Sequence, residues 1–88
     1  MSTVEVHLPS TLKPLFPGLE RRVDVEAETV AQALDALDER YPGLRDRLCD
    51  PAKLRPHIHV YVDKERADLA TPVRPGARLD VIAAISGG

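Results

Sequence analysis

Two stretches near the start of the chain alternate apolar and polar residues, which is the pattern of a strand that buries one face. In the first stretch Val4, Val6 and Leu8 alternate with polar side chains, and in the second Val23 and Val25 do the same. The segment between them, "STLKPLFPG", is rich in proline and glycine and predicts a loop. We therefore expect the two strands to pair as an antiparallel hairpin across a long loop.

The spacing of apolar residues then changes from two to about 3.6, which predicts an amphipathic helix over Val30–Arg40. The helical stripe comprises Val30, Ala33, Leu34, Leu37 and Tyr41. Thr29, followed three positions later by Gln32, predicts a capping box at the start of this helix. Asp35 and Asp38 are expected on its solvent face, and the Pro-Gly pair that follows ends it.

The rest of the chain contains signals for a short helix and for further strands. The segment "LRDRLCD" is typical of a short helical turn, and "HIHVYV" alternates as a third strand. The polar segment "DKERADL" predicts a turn, whereas "TPV" predicts a short edge strand, a position where proline is tolerated. The segment "RLDVIAA" predicts the last strand.

The predicted order of elements is strand, strand, helix, strand, short strand, strand, which is typical of an α+β domain. We expect a mixed sheet of four to five strands with one main helix packed on one face. The opposite face of the sheet is expected to be polar and exposed. Because the first and last strands are the most apolar, we expect them to lie side by side at the centre of the sheet.

Composition narrows the classes of function. The chain has 88 residues, 43% of them hydrophobic, which fits one small globular domain. A net charge of −2 and an aromatic content of 3% argue against nucleic-acid binding. No apolar run is long enough to span a membrane, and the N-terminus lacks the pattern of a signal peptide. A single cysteine allows no internal disulfide, so we expect a protein of the reducing cytoplasm.

Cysteine and histidine often indicate redox or metal chemistry, but both are weak signals here. Cys49 follows a leucine and is expected to pack as a small apolar residue. His57 and His59 are two positions apart and are expected to share one exposed strand face, to which His7 could be a neighbour. Because no carboxylate or cysteine is placed to complete a zinc site, we expect no bound metal and no bound organic cofactor.

The last residues, "PGARLDVIAAISGG", combine a glycine turn, a strand and a terminal Gly-Gly. With "TLKPLFPG", "LDERYPGLRDRLCDP" and "HVYVDKE", this pattern resembles the ubiquitin-like β-grasp sulfur carriers of the ThiS/MoaD superfamily, most of all those of the CysO type. The resemblance spans nearly the whole chain. It implies a β-grasp domain over residues 1–84 and a flexible C-terminal tail over residues 85–88.

The resemblance also implies that the protein is a co-substrate of other enzymes and not an enzyme itself. In this family an E1-like adenylating enzyme of the MoeB or ThiF type uses ATP to activate the C-terminal carboxyl group, which is then converted into a thiocarboxylate. Adenylation and sulfur loading would occur at Gly88. Ile85, Ser86 and Gly87 would pass through the partner's narrow channel, where glycine fits because it has no Cβ atom.

A sulfur-acceptor enzyme, such as a cysteine synthase, is the second kind of partner that the resemblance implies. Period two places Asp80, Ile82 and Ala84 on the outward face of the last strand. An exposed Ile82 is a candidate docking residue, and His59 is a further candidate for the partner surface. Two alternatives stay open, namely the small MoaD-like subunit of a molybdopterin synthase and a ubiquitin-like conjugating or interaction module.

Overall fold

The computed structural model describes residues 3–50 and 53–83, which form a five-stranded sheet, a two-stranded hairpin and two helices. The strands are β1 (Thr3–His7), β2 (Arg22–Glu26), β3 (Cys49–Asp50), β4 (Lys53–Leu54), β5 (Ile58–Val62), β6 (Glu65–Ala67) and β7 (Arg78–Ala83). The helices are α1 (Val30–Arg40) and α2 (Leu44–Leu48), and a 3-10 turn covers Ser10–Leu12. The main helix thus has the bounds that the apolar spacing predicts.

The five-stranded sheet has the order β2-β1-β7-β5-β6. β1 pairs antiparallel with β2, so that Val4 lies opposite Val25 and Val6 opposite Val23. β1 also pairs in parallel with β7, where Val6 lies opposite Leu79. β5 is antiparallel to both of its neighbours, β7 and β6. The sheet is therefore mixed, and the first and last strands lie side by side at its centre, as the sequence predicts.

The core lies between the sheet and α1. Leu34 and Leu37 of the helix are 1% and 0% exposed, and Val6, Val60 and Leu79 of the three central strands are each fully buried. No polar or charged residue is buried as a whole in the described part of the chain. The fold therefore rests on apolar contacts between one helix stripe and alternate strand positions, which is the arrangement that the two periodicities require.

The start of α1 is capped by side chains. The Thr29 Oγ1 atom accepts a hydrogen bond from the Gln32 amide at 3.2 Å. The Gln32 Oε1 atom accepts one from the amide of Glu28 at 2.8 Å. This confirms the capping box, with the return bond made to the residue before the N-cap. One amide of the first helical turn, that of Gln32, and the amide just before the N-cap are satisfied in this way.

Asp38 is half-buried, whereas the sequence predicted it on the solvent face. Its Oδ1 atom accepts hydrogen bonds from the amides of Gly43 and Arg45, each at 3.1 Å. Gly43 joins the two helices with a φ of +92°, a conformation that favours glycine. The carboxylate therefore serves as the cap of α2, because the sharp turn after α1 brings the amides of the next helix back to it.

The edge strand of the sheet is not the one that the sequence predicts. Pro72 forms only an isolated bridge with Thr29, so the segment "TPV" is not a strand. The edge strand beside β5 is β6, which lies within the segment predicted as a polar turn. Asp63 and Lys64 form a tight turn with φ values of +49° and +73°, so β6 folds back directly on β5. The sequence does not predict this hairpin, because two-residue hairpin turns usually have Asn-Gly or Asp-Gly at these positions, and here the second residue is lysine.

The short helical segment also ends earlier than predicted. α2 stops at Leu48, and Cys49 already belongs to β3, where it lies opposite Leu54 of β4. Cys49 is 6% exposed and is part of the hydrophobic core, as expected for a small apolar residue. Leu54 packs against the core, and the two-residue strands are too short to show an alternating pattern in the sequence.

Replacing Leu37 by alanine tests this core. Leu37 is fully buried, so Leu37→Ala should lower the free energy of unfolding by about 2–5 kcal/mol through lost burial and a new cavity. Urea titration followed by circular dichroism measures the change. Leu15→Ala is the matched control, because Leu15 is 49% exposed and should change stability by less than about 0.5 kcal/mol. Equal effects of the two substitutions would contradict the assigned core.

Candidate functional site

β7 presents different side chains on its two faces. Leu79 and Val81 are buried in the core, whereas Asp80 and Ile82 lie on the face away from α1. The strand leads toward the predicted tail, which lies outside the residues that the structure describes. The predicted roles of Ala84, Ile85, Ser86, Gly87 and Gly88 concern residues in that part of the chain. Their roles, and the boundary between domain and tail, stay predictions.

Ile82 is exposed, as the alternation along β7 predicts. Its exposed fraction is 46%, and it is one of two large apolar residues exposed in the described part of the chain. His59 of β5 lies directly opposite in the sheet. The Nδ1 atom of His59 is buried and has no hydrogen-bond partner among the described residues. Ile82 is therefore an exposed apolar residue on an otherwise polar strand face.

The three histidines do not form one cluster. His57 is exposed in the turn before β5, so it does not share a strand face with His59, because the strand begins one residue later than predicted. His7 lies on β1 opposite Asp80. In the described part of the chain, no group of three or more His, Cys, Asp or Glu residues could hold a metal ion.

A charge network covers the outward face of β1 and β2. The Glu5 carboxylate hydrogen-bonds the His7 Nε2 atom and also binds Arg22, whose Nη2 atom lies 2.9 Å from Oε1. The hydrogen bond from His7 is the main cause that lowers the pKa of Glu5 below its ordinary value of 4.5, and the positive charge of Arg22 adds to it. Partial desolvation acts in the opposite direction and is outweighed. Glu5 is therefore held in its charged form.

Asp80, predicted to contact a partner, is already engaged within the protein. The Arg78 Nε atom lies 3.0 Å from its Oδ1 atom, and 22% of the Asp80 side chain is exposed. Across the sheet it is flanked by His7 on one side and Tyr61 on the other. Asp80 is therefore less available to a partner than Ile82, because its carboxylate is already paired with the guanidinium of Arg78.

A shallow groove of about 440 Å³ runs along this face beside β7. We call it the β7 groove, and its lining comprises His7, Leu8, Arg21, Tyr61, Lys64, Arg78, Asp80, Val81 and Ile82. Sequence reasoning found Asp80 and Ile82 but missed Tyr61 and Lys64. Tyr61 could have been found, because it alternates outward with His59. Lys64 could not, because it belongs to a turn whose conformation the sequence does not signal.

Comparison with known proteins agrees with this architecture. A chain of the crystal structure of the Amycolatopsis orientalis BexX/CysO complex superposes with a TM-score of 0.87 at 31% identity, covering 97% of this chain and 99% of that one. SAMP1 from Haloferax volcanii superposes with a TM-score of 0.82 at 32% identity, covering 99% and 100% of the two chains. The fold is thus that of a ubiquitin-like β-grasp protein.

Sequence comparison gives the family. The profile of the ThiS family matches residues 6–88. The sulfur carrier protein CysO of Mycobacterium tuberculosis is 29% identical over 92 residues, which cover 97% of this chain and 98% of that protein. The chain therefore belongs to the ThiS family and is a CysO-like sulfur carrier of the ThiS/MoaD type. No helix in the described residues is long and apolar enough to cross a membrane.

The charge network predicts a specific response to acid. Because the pKa of Glu5 is lowered in the folded state, its carboxylate stabilises the fold above the ordinary value of 4.5 and loses this effect as the pH falls through the folded value. Glu5→Gln should therefore make the free energy of unfolding fall less steeply below about pH 4.5.

Urea titrations between pH 6 and pH 3 measure this slope. Glu26→Gln is the matched control, because Glu26 is exposed on β2 and has no ion pair among the described residues. The control should follow the wild-type curve. If Glu5→Gln also followed it, the assigned network would be wrong.

Proposed function

We propose that this sulfur carrier holds its sulfur as a thiocarboxylate on Gly88 and donates it to a biosynthetic enzyme that makes cysteine or another sulfur metabolite. The observation that carries the proposal is the family match, which extends through Gly87 and Gly88 to residue 88. The similarity to CysO over nearly the full length of both chains supports it.

The chemistry requires activation, because a C-terminal carboxylate is ionised at neutral pH and is a poor electrophile. An oxygen of the Gly88 carboxylate attacks the α-phosphorus of ATP, and pyrophosphate leaves. Hydrogen sulfide, as HS⁻, then attacks the carbonyl carbon of the acyl-adenylate, a C–S bond forms, and AMP leaves with the original oxygen. The carrier gains one sulfur in place of one oxygen and undergoes no net oxidation or reduction.

Two kinds of partner follow from this chemistry. An E1-like adenylating enzyme of the MoeB or ThiF type would bind and use the ATP, and an acceptor such as a cysteine synthase would take the sulfur. The crystal structure of the BexX/CysO complex supports a protein partner, since a chain in it has this fold. The carrier itself would be a co-substrate without an active site of its own.

A second candidate function is conjugation to other proteins. The similarity to SAMP1, at 32% identity, favours it, because the related structure is described as a small archaeal modifier protein. The same acyl-adenylate would then react with a lysine amine and form an isopeptide bond. Intact mass of the carrier after incubation separates the two, since sulfur loading changes one atom and conjugation joins two proteins.

Changes at the last two residues test the sulfur site. Deleting Gly88 should abolish conversion to the thiocarboxylate, and Gly87→Val should nearly do so, because a β-branched side chain prevents close approach of the backbone. The measurement is intact mass after incubation with ATP, sulfide and the activating enzyme of the same organism, where replacement of oxygen by sulfur adds about 16 Da.

Ser86→Ala serves as the control, because it keeps a small side chain in the same segment and should be converted like the wild type. Circular dichroism should show that all variants are folded. Conversion of the Gly88 deletion, or no conversion of the wild type, would contradict the proposal.

The exposed isoleucine gives a second test. Ile82→Asp should leave the fold intact, since outward-facing changes usually alter stability by less than about 0.5 kcal/mol. It should weaken binding to the activating enzyme, measured by calorimetry. Leu15→Asp is the matched control, because Leu15 is 49% exposed against 46% for Ile82 and does not line the β7 groove. Equal affinities of the two variants would remove Ile82 from the interface.

A further inference from the structure

We infer that the β7 groove is a docking site for an acidic segment of the activating enzyme, and that Lys64 and Arg21 recognise it. This inference rests on the proposed function, since it names the chemistry of a surface on that partner. The groove lining includes the cations Arg21, Lys64 and Arg78 but only one carboxylate, that of Asp80. The groove is therefore positive on a chain whose net charge is −2.

The carboxylates that adjoin the groove offset only part of this charge, because Asp63 keeps its negative charge beside a neutral amide donor, whereas Glu5 and Asp80 are paired with arginines. Glu5 is bound by His7 and Arg22. Asp63 uses its Oδ1 atom to accept a hydrogen bond from the Arg78 amide at 3.0 Å. Asp80 binds the guanidinium of Arg78, so the cations left over in the groove are Arg21 and Lys64. Neither forms an ion pair with another described residue.

Lys64 occupies a position that would suit glycine. Its φ of +73° lies in the left-handed region, and it follows Asp63, whose φ is +49°. The second position of such a turn favours glycine, because a side chain there is strained. Lysine therefore stands at a position where glycine would be less strained. An observed strain of this kind supports a role for the side chain.

The backbones that carry both cations are held in place. The Asp63 amide donates to the Arg78 carbonyl oxygen at 2.9 Å, which ties the turn of Lys64 to β7. The Leu8 amide donates to the carbonyl oxygen of Arg21 at 2.6 Å, which ties Arg21 to the end of β1. Arg21 lies on the β1–β2 side of β7 and Lys64 lies on its β5–β6 side. Ile82 is exposed on the same face of the sheet.

This arrangement suits an extended acidic protein segment. The groove is shallow and its charges are spread, whereas a small anion is usually held by donors that converge on it. Ile82 and Tyr61 supply the apolar contact that a peptide side chain needs, and charges at the rim of such a contact raise the association rate and the specificity. The negative net charge of the chain disfavours nucleic acid as the occupant.

Charge reversal tests the inference. Lys64→Glu and Arg21→Glu should each raise the dissociation constant for the activating enzyme by at least about tenfold at 50 mM salt, and should flatten its dependence on salt. Lys13→Glu is the matched control, because Lys13 is exposed, lies outside the groove and changes the net charge equally. A loss of affinity in Lys13→Glu as large as in the groove variants would overturn the inference.

Lys64→Gly separates docking from folding. Because glycine relieves the positive φ, the variant should unfold at a higher temperature than the wild type and yet bind the enzyme several-fold more weakly. Unchanged affinity in Lys64→Gly and Lys64→Glu would overturn the inference, while conversion of the wild type to the thiocarboxylate would leave the proposed function intact.

If the wild type neither bound the enzyme nor was converted, the proposed function would fail, and a peptide titration would still decide on the groove. The peptide Glu-Asp-Leu-Asp-Glu should shift the amide NMR signals of Lys64, Arg21 and Ile82, and these shifts should disappear in the Lys64→Glu, Arg21→Glu double variant. Absence of such shifts in the wild type would overturn the inference.

Discussion

The parallel pairing of β1 with β7 is the contact on which the rest of the structure depends. It joins residues near the start of the chain to residues more than 70 positions later, with Glu5 opposite Arg78 and Val6 opposite Leu79. Each of these strands also pairs with a neighbour on its other side, so this one ladder unites the β1–β2 hairpin with the β5–β6 hairpin. Only then do Val6, Val60 and Leu79 form one continuous apolar surface for α1 to cover. Parallel pairing needs a crossover, and α1 is part of it.

The central position of β7 also explains where the proposed docking surface lies. One face of this strand is committed to the core through Leu79 and Val81, so its other face is free to carry Asp80 and Ile82. Five residues follow Ala83, and their fully extended reach is at most about 17 Å. The action on Gly88 that we propose would therefore bring the partner within this distance of the end of β7.

Charge is distributed unevenly on this face. Near β1 and β2 the carboxylate of Glu5 binds His7 and Arg22, so that opposite charges are matched within the protein. Beside β7 the side chains of Arg21 and Lys64 have no such match among the described residues. The first arrangement favours the folded state in a pH-dependent way, whereas unmatched surface cations contribute little to stability and are suited to recognition. The two halves of the face thus differ in whether their charges are paired within the protein.

The sequence by itself determined the regular part of the molecule. Val4, Val6 and Leu8 with period two, and Leu34 and Leu37 with period 3.6, predict which faces are buried, because burial is what sets these periods. Only the tertiary structure decided the β5–β6 hairpin and the β7 groove. The turn at Asp63 and Lys64 lacks the glycine that marks such turns. Arg21, Lys64 and Arg78 are far apart in the chain, and they line one groove only because sheet order and register, set by long-range pairing, bring their strands together.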